Sequence, residues 1–185
     1  MYCFDTDILA AALLREPPMQ LVRRLARTPG DQQCTTAVAV AEIVYAATRN
    51  GDQELTTRIR ELIAAATTVL PFDHEAAEAY GALRAQLEGV GVRLDEPSLR
   101  IAAIALSHDL TLVTASARLY DRVPGLRIEN WQSLHRRGLS VRLRRAQSVL
   151  EKDKPTQREA LAHQTILESP TRASLLFGQL ARTKS

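Results

Sequence analysis

Between residues 1 and 131 the chain alternates short apolar runs with longer stretches whose apolar residues recur every three or four positions. That alternation restricts the fold more than any other feature. Strands separated by helices join in parallel, and a parallel sheet must be covered on both faces. Strands are expected within MYCFDTDIL, QQCTT, TTVLPF, LTLVTAS and GLRIENW. Helices are expected between them. One starts near a Thr35 or Thr36 cap, a second covers QELTTRIRELIAAA, and a third runs from an Asp73 cap to Gly89 and Gly91. SLRIAAIALSHD forms a fourth, and the Pro17-Pro18 pair interrupts helix nearer the N-terminus.

In such sheets, sites gather outside the carboxyl ends of the strands. Asp5 and Asp7 stand at that end of the first strand, and Thr114 and Ser116 stand at the end of LTLV. The fold therefore directs both segments toward one crevice.

Beyond Trp131 the character changes. Residues 133–185 hold 11 Lys/Arg against 4 Asp/Glu, whereas residues 1–132 hold 13 against 17. Two units are expected: a domain over 1–132 and a basic C-terminal extension over 133–185, helical or partly disordered. A basic segment of this kind favours polyanions such as RNA, or simply forms a solvated helical face. With 45% hydrophobic and 24% charged residues, the chain as a whole is not of the disordered class. No run of about 18 uncharged apolar residues exists, and Asp5 and Asp7 interrupt any signal-peptide core, so a cytoplasmic protein with no membrane span is expected. Cys3 and Cys34 fall in strands and read as buried thiols rather than a disulfide framework.

The carboxylates carry the chemistry. A hard divalent cation such as Mg²⁺ takes oxygen ligands and is held by only one or two carboxylates plus water. Such ions activate water for phosphodiester hydrolysis. Asp5 and Asp7 offer one group; Glu42, alone among apolar neighbours in AVAVAEIVYAA, offers another; Asp95 and Glu96 in RLDEP offer a third. Each has a structural alternative. Asp7 reads as the N-cap of the next helix, Glu42 as an arginine partner, and Asp95 and Glu96 as acidic residues favouring a helix N-terminus. Asp109 reads as a turn residue, and Asp121 is a further candidate. Asp5 is the hardest to explain structurally. Other chemistries fit less well. The Asp5-Thr6-Asp7 pair matches haloacid-dehalogenase-type phosphatases only superficially, because Leu9 stands where Thr or Val is needed and every lysine lies in the extension. The four histidines are scattered without zinc-ligand spacing, and no glycine-rich phosphate loop appears.

FDTDIL, TTAVAVAEIVYAA, LPFDHEAAEAYGALRAQLEGVG, LDEPSLRIAAIAL, LTLVTAS and VPGLRIENW, in this order, resemble a PIN-domain ribonuclease of the VapC toxin type over residues 1–132. The resemblance implies a PIN-like α/β/α sandwich with a mostly parallel sheet and Mg²⁺- or Mn²⁺-dependent cleavage of an RNA substrate. It also implies a homodimer and inhibition by a small cognate antitoxin. Carried over by position, Asp5 and Glu42 match metal-binding carboxylates. The third acidic position falls on Ser98, and the Asn or Asp after the last core strand falls on Ser116, so the chain departs from the pattern at both. Asp95 and Glu96, just before Ser98, are the candidates to compensate. The resemblance thus implies either a ribonuclease toxin or a catalytically impaired PIN domain that serves to bind an antitoxin or to dimerise.

Overall fold

The structure is a computed structural model, and it describes residues 1–66 and 68–132. The basic extension expected over 133–185 lies outside the described residues. Five strands form one parallel sheet: β1 (Tyr2–Phe4), β2 (Gln33–Thr36), β3 (Thr68–Leu70), β4 (Thr111–Val113) and β5 (Arg127–Glu129). Their order is β3-β2-β1-β4-β5, with Cys3 opposite both Cys34 and Leu112. The helices are α1 (Thr6–Ala12), α2 (Met19–Arg27), α3 (Ala37–Arg49), α4 (Gln53–Ala66), α5 (His74–Gly89), α6 (Glu96–Ser107) and α7 (Ala117–Tyr120). This is the α/β/α arrangement that the alternation demands.

β1 and β2 are brief because each meets a helix-starting signal at once. Asp5 and Thr36 hold extended backbone and cap α1 and α3 through their side chains. Asp73 caps α5 and Asp95 caps α6 in the same way. β1 is the central strand, and the strand order reverses there, with β2 on one side and β4 on the other. At such a switch point the connections leave in opposite directions and open a crevice at the carboxyl ends. Asp5 is the first residue past β1, which puts its carboxylate at the mouth of that crevice.

Both faces of the sheet are covered, and Cys3, Phe4, Ile8, Leu21, Ile101, Ile104 and Leu112 are fully buried or nearly so. Cys3 and Cys34 are free and buried. The chain end of the described unit is tied back to its start. Trp131, 1% exposed, meets Tyr2 and Phe4 edge-on at 4.9 and 5.3 Å between centroids. Its indole N–H donates to Glu129 Oε2 (2.8 Å), and the Arg24 guanidinium lies 5.5 Å from the ring centroid. Among the described residues, no helix is long and apolar enough to cross a membrane.

Because Trp131 packs on the strand that carries Asp5, Trp131→Ala is expected to cost about 3–5 kcal/mol of stability. Chemical denaturation of the two proteins side by side measures it, and a loss below about 1 kcal/mol would show that the tie is dispensable.

Candidate active site

The site is built from three chain segments that converge at the carboxyl end of β1. The first is the β1–α1 junction. The Asp5 backbone N–H extends the ladder to Val113 O (3.0 Å), while Asp5 Oδ1 accepts from the Thr6 N–H at 2.8 Å. Asp5 Oδ2 accepts from the Tyr120 hydroxyl at 3.1 Å. The side chain is buried, at 6% exposure. Burial, and then the charge of Asp7, push the Asp5 carboxyl up to about 6, against the pull of the Thr6 N–H and the Thr114 and Tyr120 hydroxyls.

Thr6 links the second segment. Its hydroxyl donates to Glu42 Oε2 on α3 at 2.6 Å, so its backbone N–H holds Asp5 while its side chain holds Glu42. Two carboxylates far apart in sequence are thereby brought to one residue.

The third segment follows β4. Asp7 Oδ2 accepts from the Thr114 hydroxyl (3.1 Å), the Ala115 N–H (3.0 Å), and the N–H and hydroxyl of Ser116 (3.1 Å each). Its other oxygen, Oδ1, is buried with no hydrogen-bond partner. The expectation that Asp7 caps α1 is therefore corrected: the cap is Asp5. The strand ends at Phe4, so Asp5 itself occupies the extended junction position, and Asp7, two residues into the helix, turns toward the β4 loop.

The remaining candidates fall elsewhere. Asp95 accepts from the Ser98 N–H with Oδ1 and from the Ser98 hydroxyl with Oδ2, both at 2.9 Å, as the cap of its own helix. Glu96 is exposed in a network with Arg84 (2.8 Å), Arg100 (3.3 Å) and the Tyr80 hydroxyl (2.8 Å), outside the Asp5 cluster. Asp109, at φ 50°, pairs with Arg127 before β4 begins, away from the carboxyl ends of the strands. Asp121 is exposed at the end of α7. Two members of the cluster escape sequence reasoning. Thr6 carried a signal, since it sits between the two aspartates. Tyr120, in ARLYDR, carried none.

Among the described residues, no Lys, Arg or His pairs with Asp5, Asp7 or Glu42. No group of three or more His, Cys, Asp or Glu there is arranged to hold a metal ion. What remains is a buried carboxylate beside a second charge, an orphaned Asp7 oxygen, and Glu42 reached through Thr6. This donor set suits one hard cation on one or two carboxylates completed by water, not a cage of protein ligands.

A raised carboxyl pKa has a definite sign. The ionised form is disfavoured in the folded state, so stability is full below about 3.8, the unfolded value, and is lost as pH rises toward about 6. In chelator at neutral pH, Asp5→Asn is therefore expected to unfold later than the natural chain, by on the order of 3 kcal/mol. The Asn side chain keeps the helix cap. The advantage should vanish near pH 4 in calorimetric scans of both proteins; an equal difference at both pH values would contradict it.

Comparison with known proteins adds to this geometry. The family model described as PIN domain matches residues 2–126. Ribonuclease VapC2 of Haemophilus influenzae is 31% identical over 130 residues, which span 70% of this chain and 97% of that protein. The tRNA(fMet)-specific endonuclease VapC of Salmonella typhimurium is 27% identical over 130 residues, with the same coverage of 70% and 97%. Among solved structures, DNA-bound VapBC from Salmonella typhimurium superposes with a TM-score of 0.64 at 27% identity, covering 70% of this chain and 97% of its counterpart. The five-stranded parallel sheet, the carboxylates gathered at its switch point and a match that spans almost the whole described unit agree: this chain belongs to the PIN domain family.

Proposed function

We propose that this chain is a metal-dependent endoribonuclease, the toxin of a toxin–antitoxin pair, hydrolysing RNA phosphodiesters in the cytoplasm. The observation that carries this reading is Asp5: a buried carboxylate at the switch point of a parallel sheet, without a cationic partner among the described residues, joined through Thr6 to Glu42. The relatives named ribonuclease and tRNA endonuclease support the reaction class, and the VapBC complex supports a small cognate antitoxin as partner. In this reading the chain works as a homodimer.

Asp5 and Glu42 are the residues that would hold Mg²⁺ or Mn²⁺. When bound, such an ion supplies an activated water and offsets the negative charge that builds on the phosphodiester. The chain's own residues do the rest. Thr6 fixes both carboxylates from one position, so their spacing follows the start of α1. Asp7 ties Thr114, Ala115 and Ser116 to that helix and so shapes the other lip of the crevice. Asp95 acts through Ser98, whose hydroxyl and N–H it holds. The surplus of seven positive charges over residues 133–185 would give sequence-blind contacts to the RNA backbone that weaken with salt.

The placement of Asp95 and Glu96 favours a second reading, in which the domain binds an antitoxin or dimerises but cleaves poorly. Both carboxylates are engaged within or beside α6, so the neutral Ser98 has no visible substitute there. One experiment separates the two. Cleavage of a defined RNA is followed with Mg²⁺ or chelator for the natural chain, Asp5→Ala and Ser98→Asp. A toxin nuclease shows Mg²⁺-dependent cleavage that Asp5→Ala lowers by more than the roughly 10–100-fold typical of residues that merely support a ligand, and Ser98→Asp raises it modestly. If the natural chain cleaves no faster than Asp5→Ala while Ser98→Asp does, the impaired-module reading holds instead.

A further inference from the structure

The residue that faces Asp5 from the far side of the crevice is a tyrosine. Tyr120 ends α7, is 1% exposed, and donates its hydroxyl proton to Asp5 Oδ2 at 3.1 Å. A buried aromatic ring needs no hydroxyl to pack, and a buried hydroxyl is costly unless it is bonded. This one is bonded to the buried Asp5 carboxylate. The preceding helix, α6, carries a further hydroxyl at Ser98. Ser98 is in turn held by both oxygens of Asp95.

The arrangement does something specific to Asp5. Its Oδ1 is held by the Thr6 N–H and its Oδ2 by the Tyr120 hydroxyl, so hydrogen bonds on both oxygens fix the plane of the carboxyl group. A carboxylate offers about four lone-pair sites, and these two bonds leave the others open to a cation. An ordinary phenol is a neutral donor at physiological pH, so the bond adds no charge of its own. Tyr120 thus presents a hydroxyl to Asp5, where a further carboxylate would add like charge to the Asp5–Asp7 pair.

We propose that Tyr120 is a positioning residue for cation binding: its hydroxyl orients the Asp5 carboxylate. The inference rests on the reading of Asp5 as a cation ligand. Partners of this kind fix ligand orientation, and their loss typically weakens metal binding roughly 10–100-fold.

The test is a calorimetric titration of Mn²⁺ into the full chain, into Tyr120→Phe and into Asp5→Ala, with unfolding of each followed in metal-free buffer. Binding to the natural chain, none to Asp5→Ala, and roughly 10–100-fold weaker binding to a folded Tyr120→Phe support the proposal. A purely structural role would move the unfolding midpoint and leave the affinity alone. Equal Mn²⁺ affinity in the natural chain and Tyr120→Phe would overturn the proposal while leaving Asp5 as a ligand. No Mn²⁺ heat from the natural chain, or heat that Asp5→Ala retains, would overturn the reading of the site itself and the proposal with it. Should Tyr120→Phe fail to fold, Tyr120→Met, which also removes the hydroxyl, decides: weakened Mn²⁺ binding supports the proposal, and unchanged binding overturns it.

Discussion

A carboxylate that is buried, ionisable and without a cationic partner among the described residues is a standing cost to a small domain, and Asp5 carries that cost at the centre of the sheet. Much of the local structure is arranged around it. The central strand stops at Phe4 because Asp5 takes the junction, and α1 starts because the same side chain caps its first turn. The Thr6 N–H and the Tyr120 hydroxyl each satisfy one oxygen, yet neither brings a compensating charge. A site that withholds neutralisation in this way gains interaction energy when a cation arrives, because the desolvation of the anion has already been met by folding.

Around that group the three segments play distinct mechanical roles. Thr6 couples α1 to α3 by holding Glu42 with its hydroxyl and Asp5 with its N–H. Asp7 couples α1 to the loop after β4 with one oxygen, accepting from two N–H groups and two hydroxyls. Trp131 closes the described unit onto Tyr2 and Phe4, behind the residues that project the site. Ser98, near the start of α6, is bound into the cap of that helix. Its N–H and hydroxyl go to the two oxygens of Asp95.

Much of this was legible from residue order. The alternation of strands and helices, a cap at Thr35 or Thr36 (Thr36 takes it), the cap at Asp73 and the glycine-rich end of α5 all follow from local signals, and each appears in the structure. What misled was a difference of two residues. An aspartate before a helix and an aspartate inside its first turn look alike in sequence, and only the strand's actual end at Phe4 makes Asp5 the cap and frees Asp7 for the loop. Glu96 was similarly ambiguous. Its neighbour Asp95 takes the cap, and Glu96 turns out to Arg100, one helical turn along α6, and to Arg84 across on α5.

By itself, the sequence determined the fold class, the strand that carries the site and the identity of the carboxylates available to it, because periodicity and capping are short-range properties of neighbouring residues. The tertiary structure alone decided which of those carboxylates meet. Thr6 reaches Glu42 across 36 positions, Asp7 reaches Ser116 across 109, and Tyr120 reaches Asp5 across 115. Contacts at such separations depend on how the sheet orders its strands and on the direction each helix leaves it. No local pattern encodes that a phenol from a four-residue helix closes over the first aspartate of the chain.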